Sequence, residues 1–441
     1  MKRLAYIALC LIILLTGCAT SGPSTREQAS VYTALRSGDI EQALVELESM
    51  QEEYEEPVVY EADKAILTFY ANRPEDSISL IAPALDTMEY NSIASFSESI
   101  EGLLVNDNVK AYAGSNYENL YLRGINALNY YLMGDAEGAA VEIRRANIIS
   151  RDYQLNIEEQ TNWLESLVLA FTPNPFRYLT IPEVEDYTTS AFINYLSMLM
   201  YASMGDSGNA SVDYRTLQET ATDPSVVSEE DTAAPAGKSR VNFIGFTGFV
   251  ATKEEVSVIA EDGGVFHKVV WPHVIDRPNA DIQRVVVECS DGQRIELGVL
   301  EDVSELAKRN MAMDTSAKYL GSYYRGYTKM LAAQSAAEEA YDLAMDQLSG
   351  VNPILRSAGE KAARVAYEEA LEAVDSTEIA DTRMARFLPD KVWAGGMSLT
   401  PGIYDFTITY VTSEGSFTAV REDVRVANDG EPNLVVSTCL R

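Results

Sequence analysis

The chain has 441 residues, 34 Lys and Arg against 67 Asp and Glu, a formal net charge of −33, and 46% apolar residues. That apolar share excludes global disorder, and at about 150 residues per domain the length allows two or three domains. So acidic a surface repels nucleic acid and anionic headgroups, and two His with four Cys leave little for His/Cys metal sites or His-based catalysis. The expectation is a protein that is not an enzyme, with no cofactor and no metal.

Lys2 and Arg3 precede the apolar stretch Leu4–Leu15. It is too short for a permanent bilayer crossing, which takes about 20 residues, and suits the core of a secretory signal over residues 1–17. Leu15-Thr16-Gly17-Cys18 follows and resembles the lipobox of bacterial lipoproteins. That resemblance implies acylation of Cys18, which becomes the mature N-terminus; the alternative is an ordinary signal peptide with an incidental cysteine. Each buried CH₂ of an acyl chain contributes about 0.8 kcal/mol, so more than one chain makes a lasting anchor. Ala19 rather than Asp after Cys18 implies, by resemblance to sorting in two-membrane bacteria, an outer-membrane anchor with the body in the periplasm. The outer face of the cytoplasmic membrane is the alternative. Residues 18–26 form a polar tether, of which Ala19 to Arg26 spans at most about 28 Å.

Residues 27–220 read as helical. Gly38-Asp39, Gly134-Asp135 and Gly205-Asp206 each separate two apolar helices, and each glycine is followed at fixed spacing by Ala43, Ala139 or Ala210 and then by Leu47, Ile143 or Tyr214. Asn72-Arg73, Ser77 and Ile81 form a degenerate copy. Glycine turns the chain, Asp caps the next helix, and the small residue lets two helices approach. The spacing resembles the second half of the tetratricopeptide (TPR) repeat; a generic stack of helical hairpins is the alternative.

Residues 221–240, rich in Pro, Ser, Thr and acid, read as a linker. Strand-like runs follow at 241–250, 256–260, 265–271, 282–289 and 293–300, and again at 403–411, 416–426 and 434–439, with turn residues between them. The Ala-rich stretch at about 302–376 reads as a helical insertion. The expected architecture is α+β: a TPR-like α-helical hairpin array, then a β-sandwich-like domain over 241–441 with that insertion. Cys289 and Cys439 both sit in strand-like runs. In an oxidising compartment a disulfide between them is compatible with the pattern, and two buried thiols equally so.

Asn106-Asp107-Asn108, Tyr112, Gly114, Tyr117-Glu118, Gly134-Asp135, Glu142 and Arg144-Arg145 together resemble an uncharacterised family of bacterial lipoproteins with TPR-like helices. Ala380-Asp381-Thr382-Arg383, Leu388-Pro389 and Leu399-Thr400-Pro401-Gly402 are similar to its C-terminal motif, and Lys238–Phe243 to the start of its β-domain. Met384-Ala385 stands where Ser-Trp is usual. The family carries no assigned activity, and some members belong with envelope factors that regulate peptidoglycan synthesis, which implies an envelope protein partner.

In physical terms, Asn106, Asp107, Asn108, Tyr112, Tyr117 and Glu118, with Arg144 and Arg145, form a candidate partner-binding mouth on the concave side of the helical array. The alternative is a structural loop, its Asn and Asp bonded to their own backbone and its arginines paired with carboxylates. His267 and His273 lack metal-ligand spacing. The acidic run Glu52-Glu53, Glu55-Glu56, Glu61 and Asp63 reads as a solvated helix face. No phosphate-loop, nucleophile-elbow or zinc-protease motif occurs. The expectation is a non-catalytic, lipid-anchored scaffold for an envelope protein. The alternative is a periplasmic binding protein for a small molecule, glycan or cation in the cleft between the two halves; a hydrolase using acidic residues alone is a third reading.

Overall fold

The computed structural model describes residues 26–95, 108, 110–170 and 189–441; Cys18, Asn106 and Asp107 lie outside them. The chain is α+β, with helices in its N-terminal half and a β-rich C-terminal half. The first half forms four consecutive hairpins: α1 (Ala29–Ser37) with α2 (Ile40–Ser49), α3 (Pro57–Tyr70) with α4 (Pro74–Ser95), α5 (Asn116–Leu132) with α6 (Ala136–Ala170), and α7 (Ala191–Ser203) with α8 (Ser207–Thr220).

The recurring Gly-Asp unit makes three of these turns. Gly38, Gly134 and Gly205 hold φ of 87°, 76° and 76°, the left-handed conformation that ends a helix and costs glycine nothing. The next residue caps the following helix: Asp39 accepts from the Gln42 N–H at 2.9 Å, Asp135 from Gly138 at 2.8 Å and Asp206 from Asn209 at 3.1 Å. At the fourth turn Asn72 takes the positive φ, 57°, and buried Ser77 replaces the small residue, donating to the Ala65 carbonyl at 2.8 Å.

Beyond them come β1 (Ser239–Thr247), β2 (Thr252–Asp262), β3 (Val265–Ile275), β4 (Ile282–Cys289) and β5 (Arg294–Asp302), then α9 (Val303–Leu348) and α10 (Pro353–Asp375), then β6 (Lys391–Leu399), β7 (Gly402–Thr412), β8 (Gly415–Val426) and β9 (Asn433–Cys439). Seven strands form one curled sheet in the order β8-β7-β4-β5-β6-β1-β9, with β9 parallel to β1 and the other pairs antiparallel. β2 and β3 form a separate hairpin that packs on α9, where Trp271 meets Tyr319 edge-on at 5.2 Å. The central strand β6 has no counterpart among the predicted runs, because Gly395-Gly396 reads as a turn. Here those glycines make room: a Cβ at 395 would stand 2.9 Å from Leu297 Cδ2, and one at 396 would stand 2.8 Å from Arg240 Nε.

The two halves share a core. On β1, Val241 and Phe243 face the interior of the curled sheet, where Phe243 meets Phe406 of β7 at 5.1 Å. Ile244 and Phe246 face the helices, and the Phe246 ring lies 5.9 Å from Phe69 and 5.6 Å from Phe192. The alternation of a strand thus ties both layers together. Residues 221–240 are accordingly no free linker. Thr222 and Asp223 donate to the carbonyls of Leu300 and Val299 at 2.9 Å each, Val226 and Val227 are buried, and the Asp231 carboxylate receives Arg240 Nε and Asn242 Nδ2, each at 2.7 Å.

The close approach of α5 and α7 supports a direct prediction. A Cβ at Gly124 would sit 2.5 Å from Phe192 Cε1 and 3.0 Å from Ile193 Cδ1. Phe192 is held between Tyr121 and Phe246, at 5.3 and 5.6 Å, and has nowhere to retreat. Gly124→Ala therefore destabilises by about 1–2 kcal/mol in urea unfolding, despite the gain of about 1 kcal/mol in helix propensity. Among the described residues no helix is long and apolar enough to cross a membrane.

Candidate functional site

Residues 376–390 run as an extended segment between the helical array and the β2–β3 hairpin, and polar groups from both sides hold it. Ser115-Asn116-Tyr117-Glu118 opens α5 as a capping box, with Ser115 N–H donating to Glu118 Oε2 at 2.6 Å. Glu118 is wholly buried, and its Oε1 also accepts from Tyr112 OH at 2.7 Å and from the Ala385 N–H at 2.6 Å. Lys253 of β2, also buried, brings Nζ to 3.5 Å from Glu118 Oε2 and donates to Ser115 Oγ at 3.0 Å and to the Arg383 carbonyl at 2.9 Å. Burial lowers the Lys253 pKa, and the Glu118 charge works against that shift.

Arg383 continues the network. It grips Asp381 through Nε (2.9 Å) and Nη2 (3.0 Å), reaches Glu56 Oε2 at 3.2 Å and the Lys110 carbonyl at 3.0 Å through Nη1, and lies over the Tyr112 ring at 5.4 Å. Burial alone would raise the Asp381 pKa, but the hydrogen bond from Arg383 and the charges of Lys318, Arg383 and Lys253 bring it to about 2. Further along, Asp63 of α3 accepts from the Arg386 N–H at 2.6 Å and from Tyr54 OH at 2.8 Å. Tyr70 OH donates to the Phe387 carbonyl at 3.0 Å, and Val250 N–H to that of Leu388 at 2.9 Å. Asn108 Nδ2 donates to the Ile379 carbonyl at 2.7 Å.

This geometry corrects the expected mouth. Asn108, Tyr112, Tyr117 and Glu118 are all buried and serve as internal supports of the 376–390 segment. Arg144 and Arg145 are exposed on α6 and are not part of the group; Arg145 lies 3.9 Å from Asp86 and 4.0 Å from Glu142. The acidic run is divided too, with Asp63 in the interior and Glu56 on Arg383. His267 is buried between Tyr323 and Tyr327, at 5.0 and 5.7 Å, while His273 is exposed. Cys289 and Cys439 are both buried and free. β4 and β9 run in opposite directions in the sheet, and each cysteine ends its strand, so the two thiols sit at opposite ends of it.

Three further buried charge sites carry no signal beyond a charged residue in an apolar run. Glu301 accepts from Tyr121 OH (2.5 Å), Ser190 Oγ (2.7 Å) and the Ala191 N–H (2.7 Å) at the start of α7. Burial raises its pKa, and those hydrogen bonds oppose the rise. Arg123 of α5 lies between Glu142 (3.0 Å) and Glu89 (2.8 Å). Glu378 takes Lys329 at 2.7 Å and Arg325 at 3.0 Å. In each site the chain's own partners engage the charge, which is the chemistry of a structural clamp.

The surface differs. Past Met330, Ala333 and Val374, which pack on Val265 of β3, the distal parts of α9 and α10 extend as a two-helix hairpin that buries little of its own surface. Leu348 packs against Gly359, where a Cβ would stand 2.7 Å from Leu348 Cδ1. At the tip Ile354 is 80% exposed and Leu355 63%. Between Leu331 and Asp375 there are nine Asp and Glu against three Lys and Arg. Comparison with protein-family models, with curated proteins and with solved structures gives no match.

Proposed function

We propose that this chain is a lipid-anchored envelope scaffold, held through acylated Cys18 at the outer membrane with its body in the periplasm, and that it binds a partner protein without catalysing a reaction. The observation that carries this reading is the distal α9–α10 hairpin. A helix face that buries little on its own side is stabilised by what covers it, and exposed apolar tips mark interaction sites. The finer reading of the fold supports the same view. The four hairpins with Gly-Asp turns are TPR-like units, a class that offers long binding surfaces. The curled sheet is sandwich-like, with β7 facing β1 across its interior. The cleft between the halves, the seat of a small ligand in the alternative reading, is occupied by Glu118, Lys253 and Arg383.

The test is capture with tagged full-length protein from detergent-solubilised membranes. A specific partner is expected with the native chain, and recovery falls at least tenfold with the double change Ile354→Asp, Leu355→Asp. Both side chains are exposed, so the variant keeps its melting temperature. An identical set of co-purifying proteins from both chains sinks the hairpin as the docking element.

A further inference from the structure

A pocket of about 550 Å³, counting its open mouth, lies where α5, α6 and α7 meet the turn between β8 and β9. Its wall includes Ala127, Leu128, Ile143, Leu196, Leu199 and Met200. The two side-chain hydroxyls in the wall are already engaged: Tyr131 OH donates to the Pro432 carbonyl and accepts from Leu434 N–H at 3.0 Å, and Ser203 Oγ donates to the Met200 carbonyl at 2.8 Å. A peptide entering here would bring main-chain N–H and C=O groups to a wall whose side chains have no polar atom to spare, a burial that costs about 1–3 kcal/mol per group. An unbranched hydrocarbon carries no such groups, and Met200 with Met204, 61% exposed at the mouth, can adapt to a flexible chain.

The rim narrows the choice of head. Asp135 and Glu137 flank the lining residue Ala136, and Asp429 and Glu431 flank the lining residue Gly430; all four are exposed. Arg425 is held at 3.8 Å by Asp429. An anionic head meets repulsion there, and a neutral one does not.

We propose that this pocket binds one acyl chain carried on a head without net negative charge, as in a monoacylglycerol. The site is separate from the α9–α10 tip, and its test needs only the purified protein. Monoacylglycerols of eight, ten and twelve carbons, titrated below their aggregation limits, should bind one to one, each added methylene tightening binding about fourfold until the pocket is full. Decanoate at pH 7.4 should bind at least threefold more weakly than its glycerol ester, with the gap closing in high salt. In methyl-labelled protein the Met200 and Met204 signals should move on titration. Met204→Asp, at an exposed position, should weaken binding at least tenfold; Ala139→Trp, which fills the pocket, should abolish it. Should Ala139→Trp fail to fold, the methyl signals and Met204→Asp decide the matter. Absence of saturable binding overturns the proposal and leaves a partner's apolar side chain as the occupant. Binding that leaves both methionine methyls unmoved overturns it as well, and equal affinity for decanoate overturns the head assignment.

Discussion

Glu118→Ala lowers the unfolding free energy by about 3–5 kcal/mol in urea titrations at pH 7. The change removes the acceptor of three hydrogen bonds, from Ser115 N–H, Tyr112 OH and Ala385 N–H, at 2.6 to 2.7 Å. It also leaves Lys253 buried without its counter-charge, 3.5 Å from where the carboxylate stood. Breaking a buried pair on one side is costlier than deleting both partners, because the remaining charge stays desolvated. Glu118→Gln recovers little, since its amide would meet the Ser115 N–H and the Lys253 ammonium as donor against donor. Adding Lys253→Met to Glu118→Gln should recover stability, with a coupling of about 1–3 kcal/mol. A loss below about 1 kcal/mol for Glu118→Ala means that the 376–390 segment does not depend on this carboxylate for its place.

How much of this was legible in the sequence depends on the range of the forces involved. The Gly-Asp turns are local: a glycine that needs positive φ and an Asp that caps three residues on leave their marks within one short stretch. The two-helix insertion and most strands announce themselves by periodicity in the same way. The 376–390 segment does not, because its partners are Glu118, Lys253, Asp63 and Asn108, up to 323 positions away at Asp63 and Arg386. Tyr112 and Glu118 were marked as a polar surface because a capping Glu looks the same whether its outer side meets water or Lys253. β6 was hidden by the two glycines that let Leu297 and Arg240 pack over it. Cys289 and Cys439 read alike in strand-like runs, and only the strand directions separate them.

The same segment is expected to give the protein a pH dependence through Asp63. This carboxyl is fully buried, and burial raises its pKa from 3.8 to about 7, against the hydrogen bonds from Arg386 N–H and Tyr54 OH and the charges of Arg386 and Arg277. The unfolded chain takes up its proton near pH 3.8 and the folded chain near pH 7. Between those values the folded state holds the extra proton, so this contribution is complete below pH 3.8 and lost as the pH rises through 7. From pH 5 to pH 8 the loss amounts to about 3 kcal/mol. Asp63→Asn removes the titration and keeps the contacts. Its Oδ1 can still accept from Arg386 N–H, and its amide can donate to Tyr54 OH. Tyr54 can in turn donate to Gln28 Oε1, which has no hydrogen-bond partner in the native chain, once the Gln28 amide flips. Other buried acids such as Glu301 and Asp390 also titrate, so the quantity to follow is the difference between the two proteins in urea unfolding across pH 5–8. The variant should gain about 3 kcal/mol on the native chain over that range. Parallel profiles instead mean that Asp63 is ionised throughout, held by Arg386 and Arg277, and that burial at this position is offset by their charge.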